Sequence, residues 1–182
     1  ALYQTTETNA LISKYLMLPS YKERLSSGAL AAFKAQEDPE MLEVLFKFLE
    51  KRSSALPSAT LSSCLETVGA LLRHNSQQKD RGRELLLSYI QHPREQVRLA
   101  AISGLGSSED PRAIAVLETF ANISESKPEK GAAEKAMEKI RSVKRSNEEL
   151  KEVRNDIASL RDLNRELRKE VETLRKKVEA KP

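Results

Sequence analysis

The sequence predicts an all-α protein in two parts. Stacked helical hairpins occupy residues 1–140, and one long coiled-coil helix occupies 141–182. Three observations carry this. The 182 residues are rich in Ala, Leu, Glu, Lys and Arg, with 4% aromatics, no Trp, 6 Gly and 7 Pro, a composition that favours helix. Prolines recur at 19, 57, 93 and 128, spaced by 38, 36 and 35, and a period of 20 to 50 residues marks a solenoid. Leucines at 160, 167 and 174 fall seven apart, the period of a coiled coil.

The repeat is visible when two stretches are laid side by side. LISKYLMLPSYKERLSSGALAAFKAQEDPEMLEVLFKF, from Leu11, aligns with LLLSYIQHPREQVRLAAISGLGSSEDPRAIAVLETF, from Leu85. Tyr15 matches Tyr89, Pro19 matches Pro93 and Arg24 matches Arg98; after a two-residue gap, Asp38-Pro39 matches Asp110-Pro111, Leu45 matches Leu117 and Phe48 matches Phe120. The offset is 74, then 72, which is two periods. The unit between them is LPSATLSSCLETVGALLRH with QQKDRGRELLLSYIQ. Units are therefore expected near 19–52, 57–91 and 93–123, with partial units at both ends.

Each unit reads as two helices. Proline is expected to open the first, where its fixed φ suits a helix start and its missing N–H costs nothing. In the third unit Val97, Ala100, Ala101 and Leu105 share one face at helical spacing, and Gly106 is expected to end the helix. Asp110 caps the second helix with Pro111 at its first position, and Ile114, Leu117, Phe120 and Ala121 form its apolar stripe. Ala29, Ala32, Ala100 and Ala101 let helices approach closely. One hairpin cannot bury such stripes alone, so the hairpins stack. The order Val-Arg, Ala, Leu-Gly, Asp-Pro, Ala-Ile, Leu in VRLAAISGLGSSEDPRAIAVLE resembles a HEAT repeat, best in the unit from Pro93. The resemblance covers residues 5 to 140 or so and implies a right-handed α-solenoid of stacked HEAT-like hairpins, followed here by the coiled-coil helix. It names no ligand.

TNALISKYLML resembles the second helix of a unit whose first helix is absent, and the chain begins with Ala1. The expectation is that more protein precedes it; a native capping helix is the alternative.

After PEKGAAEKAMEKIRS, which begins a fourth unit, the period shifts from 3.6 to 3.5. Position a falls on Val143, Leu150, Ile157, Asn164, Val171 and Val178, and position d on Ser146, Val153, Leu160, Leu167 and Leu174. Branched residues at a with Leu at d favour a parallel two-stranded coil, and one Asn at a fixes register and strand number because paired amides satisfy each other only when aligned. The flanks agree. In a parallel homodimer g meets the following e of the partner strand, which makes the pairs Glu149–Arg154, Asp156–Arg161 and Glu170–Arg175. An antiparallel one would set the arginines at e (Arg154, Arg161, Arg168, Arg175) against each other. Each exposed pair contributes only roughly 0.3–0.5 kcal/mol, so the pairs choose orientation more than they stabilise. Homodimerisation through this coil is expected. A different helical partner, or a helix that stays solitary or docks on its own solenoid, are the alternatives.

No catalytic constellation is present: HExxH, GxxxxGK[ST], GxSxG and GxGxxG are all missing, and no cofactor or metal ligand set is expected. Cys64 stands alone between Leu61 and Leu65 and reads as a buried small residue. His74 is expected to meet the last carbonyls of a helix and His92 to sit in a turn. Glu37-Asp38 and Glu109-Asp110 are expected to cap helix starts. No apolar run approaches the roughly 18 residues a membrane span needs. The net charge of +4 lies wholly in residues 141–182, which hold 13 Lys+Arg and 9 Asp+Glu. Those bases alternate with acids, as on a solvated coil face. IRSVKRSNEEL lacks the Asn-and-Arg core of basic-region zippers, and no aromatic platform accompanies the charge, so nucleic acid is not an expected partner.

The arrangement also resembles the C-terminal helical arrays of gluzincin-type zinc aminopeptidases, in which an upstream domain carries the zinc motif and the array roofs the active site. That resemblance implies an accessory domain of a metallopeptidase as the alternative to a non-catalytic interaction scaffold whose solenoid face takes an unidentified protein or peptide. Whether the parent protein is an enzyme stays open. A cytoplasmic location is expected, with secretion left open.

Overall fold

The computed structural model describes residues 6–122 and 127–179, without the side chains of residues 6, 174 and 177–179. Eight α-helices run in order: α1 Thr6–Met17, α2 Arg24–Gln36, α3 Leu42–Arg52, α4 Ser58–Leu72, α5 Lys79–Tyr89, α6 Glu95–Ser107, α7 Ile114–Ala121 and α8 Pro128–Glu179. Among the described residues there is no strand. The chain divides into two compact units, one ending at Arg141 and one beginning at Ser142.

In the first unit α2–α3, α4–α5 and α6–α7 are successive hairpins. The first helices form one layer (α2, α4, α6 and the start of α8) and the second helices the other. Between the layers lies one apolar core that includes Leu30, Phe33, Phe46, Phe48, Leu65, Leu71, Leu86, Ile102, Leu105 and Leu117, all 1% exposed or less. Ala133, Ala136, Met137 and Ile140 carry that core onto the first turns of α8.

The hairpin turns repeat in detail. The Asp38 side chain accepts from Glu40 N (3.0 Å) and the Asp110 side chain from Arg112 N (3.1 Å), each with proline next, opening a 3-10 turn that leads into α3 or α7. The same carboxylates also accept from the preceding second helix, Asp38 from Asn9 Nδ2 and Asp110 from Arg83 Nη1, both at 2.6 Å. Asn9 and Arg83 are 74 apart, so α1 and α5 are equivalent second helices. Burial alone would push the Asp110 carboxyl up. Hydrogen bonds from the Arg112 side chain and backbone and from Arg83 outweigh it and hold the group below the usual carboxylate range. At the start of α8 the Arg98 guanidinium, 2.6 and 2.8 Å from Glu129 Oε1, holds that buried carboxyl low in the same way.

The structure corrects the sequence reading at several points. Pro128 does open a helix and Pro57 sits just outside one, but Pro19 and Pro93 lie in connections ahead of α2 and α6. Leu18, the residue before Pro19, directly follows α1, and a residue before a proline disfavours the α region, so Pro19 helps stop that helix; α5 ends at Tyr89, four residues before Pro93. Gly106 does not end α6, which runs to Ser107. A Cβ there would lie 2.7 Å from Ala136 Cα, so the glycine serves the crossing of α6 and α8. Likewise a Cβ on Gly69 would run into the backbone of Gly104, where α4 crosses α6. The left-handed residues that end the first helices are Glu37 (φ 51°) and Glu109 (φ 54°), so of each acidic pair only the aspartate is an N-cap. Both glutamates pair with Arg73, at 3.5 and 3.6 Å, from the turn of the unit between them.

The register of α2 on α6 also differs from the alignment. Ala29, Leu30 and Phe33 are buried, as are Ala101, Ile102 and Leu105, an offset of 72. At an offset of 74 Ala29 would match the exposed Ser103. The two-residue shift therefore falls before α2, in the extra 3-10 turn Tyr21–Glu23, and Arg24 is not the equivalent of Arg98.

Candidate interaction surfaces

A groove of about 570 Å³ opens across the layer of first helices in the first unit. α4 contributes Ser62 and Glu66, α6 contributes Gln96, Leu99 and Ser103, and α8 contributes Gly131, Lys135 and Lys139. Its floor is held by side-chain bonds between neighbouring helices: Ser62 Oγ donates to Gln96 O at 3.1 Å, and Lys139 Nζ lies 3.1 Å from Ser107 Oγ. Close approach of the helices, set by Gly69, Gly104 and Gly106, keeps the groove shallow and continuous. The lining mixes hydroxyls, an amide, ammonium groups and short apolar patches. Such a surface can hydrogen-bond an extended chain and take small apolar side chains. The sequence reading did not find it, because its residues come from three helices and share no motif. The signal available was the run of Gly, Ala and Ser on the first helices.

The second unit presents the predicted seam. Leu150, Val153, Ile157, Leu160, Leu167 and Val171 lie on α8 and are 45% to 63% exposed. Asn164 is exposed in their midst, as are the flanking Glu149, Arg154, Asp156, Arg161, Glu170 and Arg175. The seam side chains of Leu174 and Val178 lie outside the described residues. Ion pairs within the helix, Asp162–Arg165 at 3.6 Å and Glu172–Lys176 at 3.2 Å, fall at positions b and f. These face away from the seam.

The other residues singled out in the sequence have structural places. Cys64 is fully buried in α4, and burial pushes its thiol up, which keeps it protonated and shielded. His74 does not bond helix carbonyls through its ring. Its Nε2 accepts from Arg73 Nε (3.2 Å) and lies 3.5 Å from Glu37 Oε2. His92 Nδ1 accepts from Arg94 N at 3.2 Å, in the turn before α6. Among the described residues no group of three or more His, Cys, Asp or Glu is placed to hold a metal ion, and no helix is long and apolar enough to cross a membrane.

Comparison with known proteins bears on the first unit. The family model for HEAT repeats matches residues 64–138, from the middle of α4 to the first turns of α8. No curated protein matches the chain. Among solved structures, human deoxyhypusine hydroxylase in complex with glycerol has a similar fold, with a TM-score of 0.57 at 15% identity over 78% of this chain. This chain spans 46% of that one. At that identity the likeness concerns the fold alone. Residues 64–138 are thus similar to HEAT repeats, and the architecture around them is an all-α solenoid that ends in one long helix.

Proposed function

We propose that this chain is a non-catalytic interaction scaffold, in which the helical repeats are presented by a parallel, two-stranded coiled coil formed with a second copy. The observation that carries the reading is the seam on α8: six large aliphatic side chains at a and d, each about half exposed or more, in a heptad register interrupted only by Asn164. Leaving one such side chain wet forgoes roughly 1.5–3 kcal/mol, so the seam is strongly driven to find a matching one. Like residues at a, d, e and g make a second copy the best match. The groove across α4, α6 and α8 is the surface such a dimer would offer, in duplicate, to a protein or peptide. No observation of the structure favours the peptidase-accessory reading over this one.

Light scattering on the whole chain and on a version ending at Arg145 tests the proposal. The first unit has its own core, so the shortened chain should remain helical and melt cooperatively. The whole chain should weigh two copies and the shortened one a single copy. A whole chain that stays monomeric, or a shortened one that still dimerises fully, contradicts the proposal.

A further inference from the structure

Between α6 and α8 the groove has a definite length and a one-sided charge. The two helices lie side by side and parallel: Arg98 meets Glu129 at one end and Ser107 meets Lys139 at the other, pairs 31 and 32 residues apart. Lining residues run from Gln96 to Ser107 on α6 and from Pro128 to Lys139 on α8. Each stretch rises about 16 Å, the length of about five residues of extended chain. Ala100, Gly106, Ala132 and Ala136 form a floor too short to fill it. Gly131 opens it further. It lies inside α8, where glycine costs about 1 kcal/mol against alanine, and an added Cβ would meet nothing within 4 Å. Unlike Gly69, Gly104 and Gly106, it admits no neighbouring helix. Its bare backbone joins the groove to a second opening beside Lys127, Lys130 and Glu134.

The α8 wall carries Lys135 and Lys139, with Lys127 and Lys130 at the adjoining mouth. Among the described residues Glu66 is the one carboxylate that lines the groove itself, and Lys34 lies 3.7 Å from it. Lys135 is exposed and makes no ion pair or hydrogen bond among the described residues. The arginines of α3 and α5, by contrast, find carboxylates within the chain: Arg52 on Glu23, Arg81 on Glu43 and Glu50, and Arg83 on Asp110. Lys135 and Lys139 stand one helical turn apart, about 6 Å along the axis. Alternate side chains of an extended chain repeat at about 6.7 Å. We infer that the groove binds an extended acidic segment of a partner protein, with Asp or Glu at alternate positions paired to Lys135 and Lys139. Small residues between the acids face Leu99 and Ser103 of α6, and the Gln96 amide is at hand for the main chain. This segment is the occupant of the surface that the scaffold reading assigns to a partner, and so rests on that reading.

The probe is a short fluorescein-labelled peptide of alternating Glu and Ala, and binding to the whole chain is read by fluorescence anisotropy. It should bind at least tenfold more tightly than the same peptide with Lys in place of Glu, and more tightly than one of equal composition whose Glu residues stand in adjacent pairs. Lys135→Glu should reverse the preference, so that the Lys peptide binds better. Gly131→Gln leaves the charge unchanged and should weaken binding tenfold or more. It places a side chain in open space, so its thermal melt should equal or exceed that of the parent chain. Absence of binding, binding indifferent to Gly131→Gln, or equal binding of the paired peptide overturns the inference. So does displacement of the peptide by an oligothymidylate of equal charge, since the lysines would then read charge alone. Light scattering on the same samples separates this from the coil. A monomeric chain that binds the peptide keeps the occupant and removes the pairing, and a dimer that binds none does the reverse.

Discussion

The two compact units use the same aliphatic residues to opposite effect. In the first, Leu30, Leu65, Leu86 and Leu105 are fully buried; in the second, Leu150, Leu160 and Leu167 are at least half exposed. The difference lies in the period of the pattern and in the topology, not in hydrophobicity. Short helices with a period near 3.6 and glycine or alanine at their crossings stack on the next hairpin of the same chain, so their stripes are satisfied from within. A period of 3.5 sustained over one unbroken helix keeps a narrow apolar seam on one side, and on the single chain that seam is exposed.

Changes directed at each unit should separate them, and the largest effect should come from the helix crossings. Gly69→Val forces a branched side chain into the Gly104 backbone and should cost about 3 kcal/mol, seen as a lower denaturant midpoint for the first unit with coil assembly retained. If both transitions move together, the units are not independent.

Asp110→Ala comes next. It removes the cap on Arg112 N and the nearer of the two carboxylates on the Arg83 guanidinium, which keeps Asp80 at 3.1 Å, a loss of about 2 kcal/mol. The pH dependence has a definite sign. The Asp110 and Glu129 carboxyls are held below their ordinary values of 3.8 and 4.5, so their stabilisation is full above those values and fades as pH falls through the lower folded ones. Acid titration followed by circular dichroism should therefore weaken the first unit below pH ~4, and the Asp110→Ala chain should show a shallower fall. The seam of the coil is hydrocarbon and does not titrate.

Smaller effects are expected in the coil. Asn164→Val should raise its melting temperature by several degrees while loosening the choice of strand number, so that sedimentation finds species beyond the dimer. Reversing one flank, Arg161→Glu, should weaken assembly by about 1 kcal/mol or less per dimer, and adding Asp156→Arg should recover part of it. No recovery would argue against parallel pairing.

Much of the fold was legible. Asp38-Pro39 and Asp110-Pro111 cap the turns as read, because a short acidic side chain before proline has few other uses in a helical chain. The onset of a helix at Pro128 was equally plain. What was not legible concerned register. Pro19 and Pro93 look equivalent, yet a 3-10 turn after Pro19 shifts α2 by two residues, and no local signal announced it. Gly106 was misread because a glycine that stops a helix and one that admits a neighbour look alike in sequence. The left-handed Glu109, which does the stopping, is a residue type that seldom takes that conformation. The groove depends on which faces meet, and that is decided by the same register.

The most direct test of the account is the separation between two copies of the last helix. Spin labels introduced singly at Asn155 and at Lys169, in a Cys64→Ser background, report it by double electron–electron resonance. The account predicts short and equal separations at both positions, as in two strands lying parallel and in register. A long separation at either position, or no dipolar coupling at all, would contradict it.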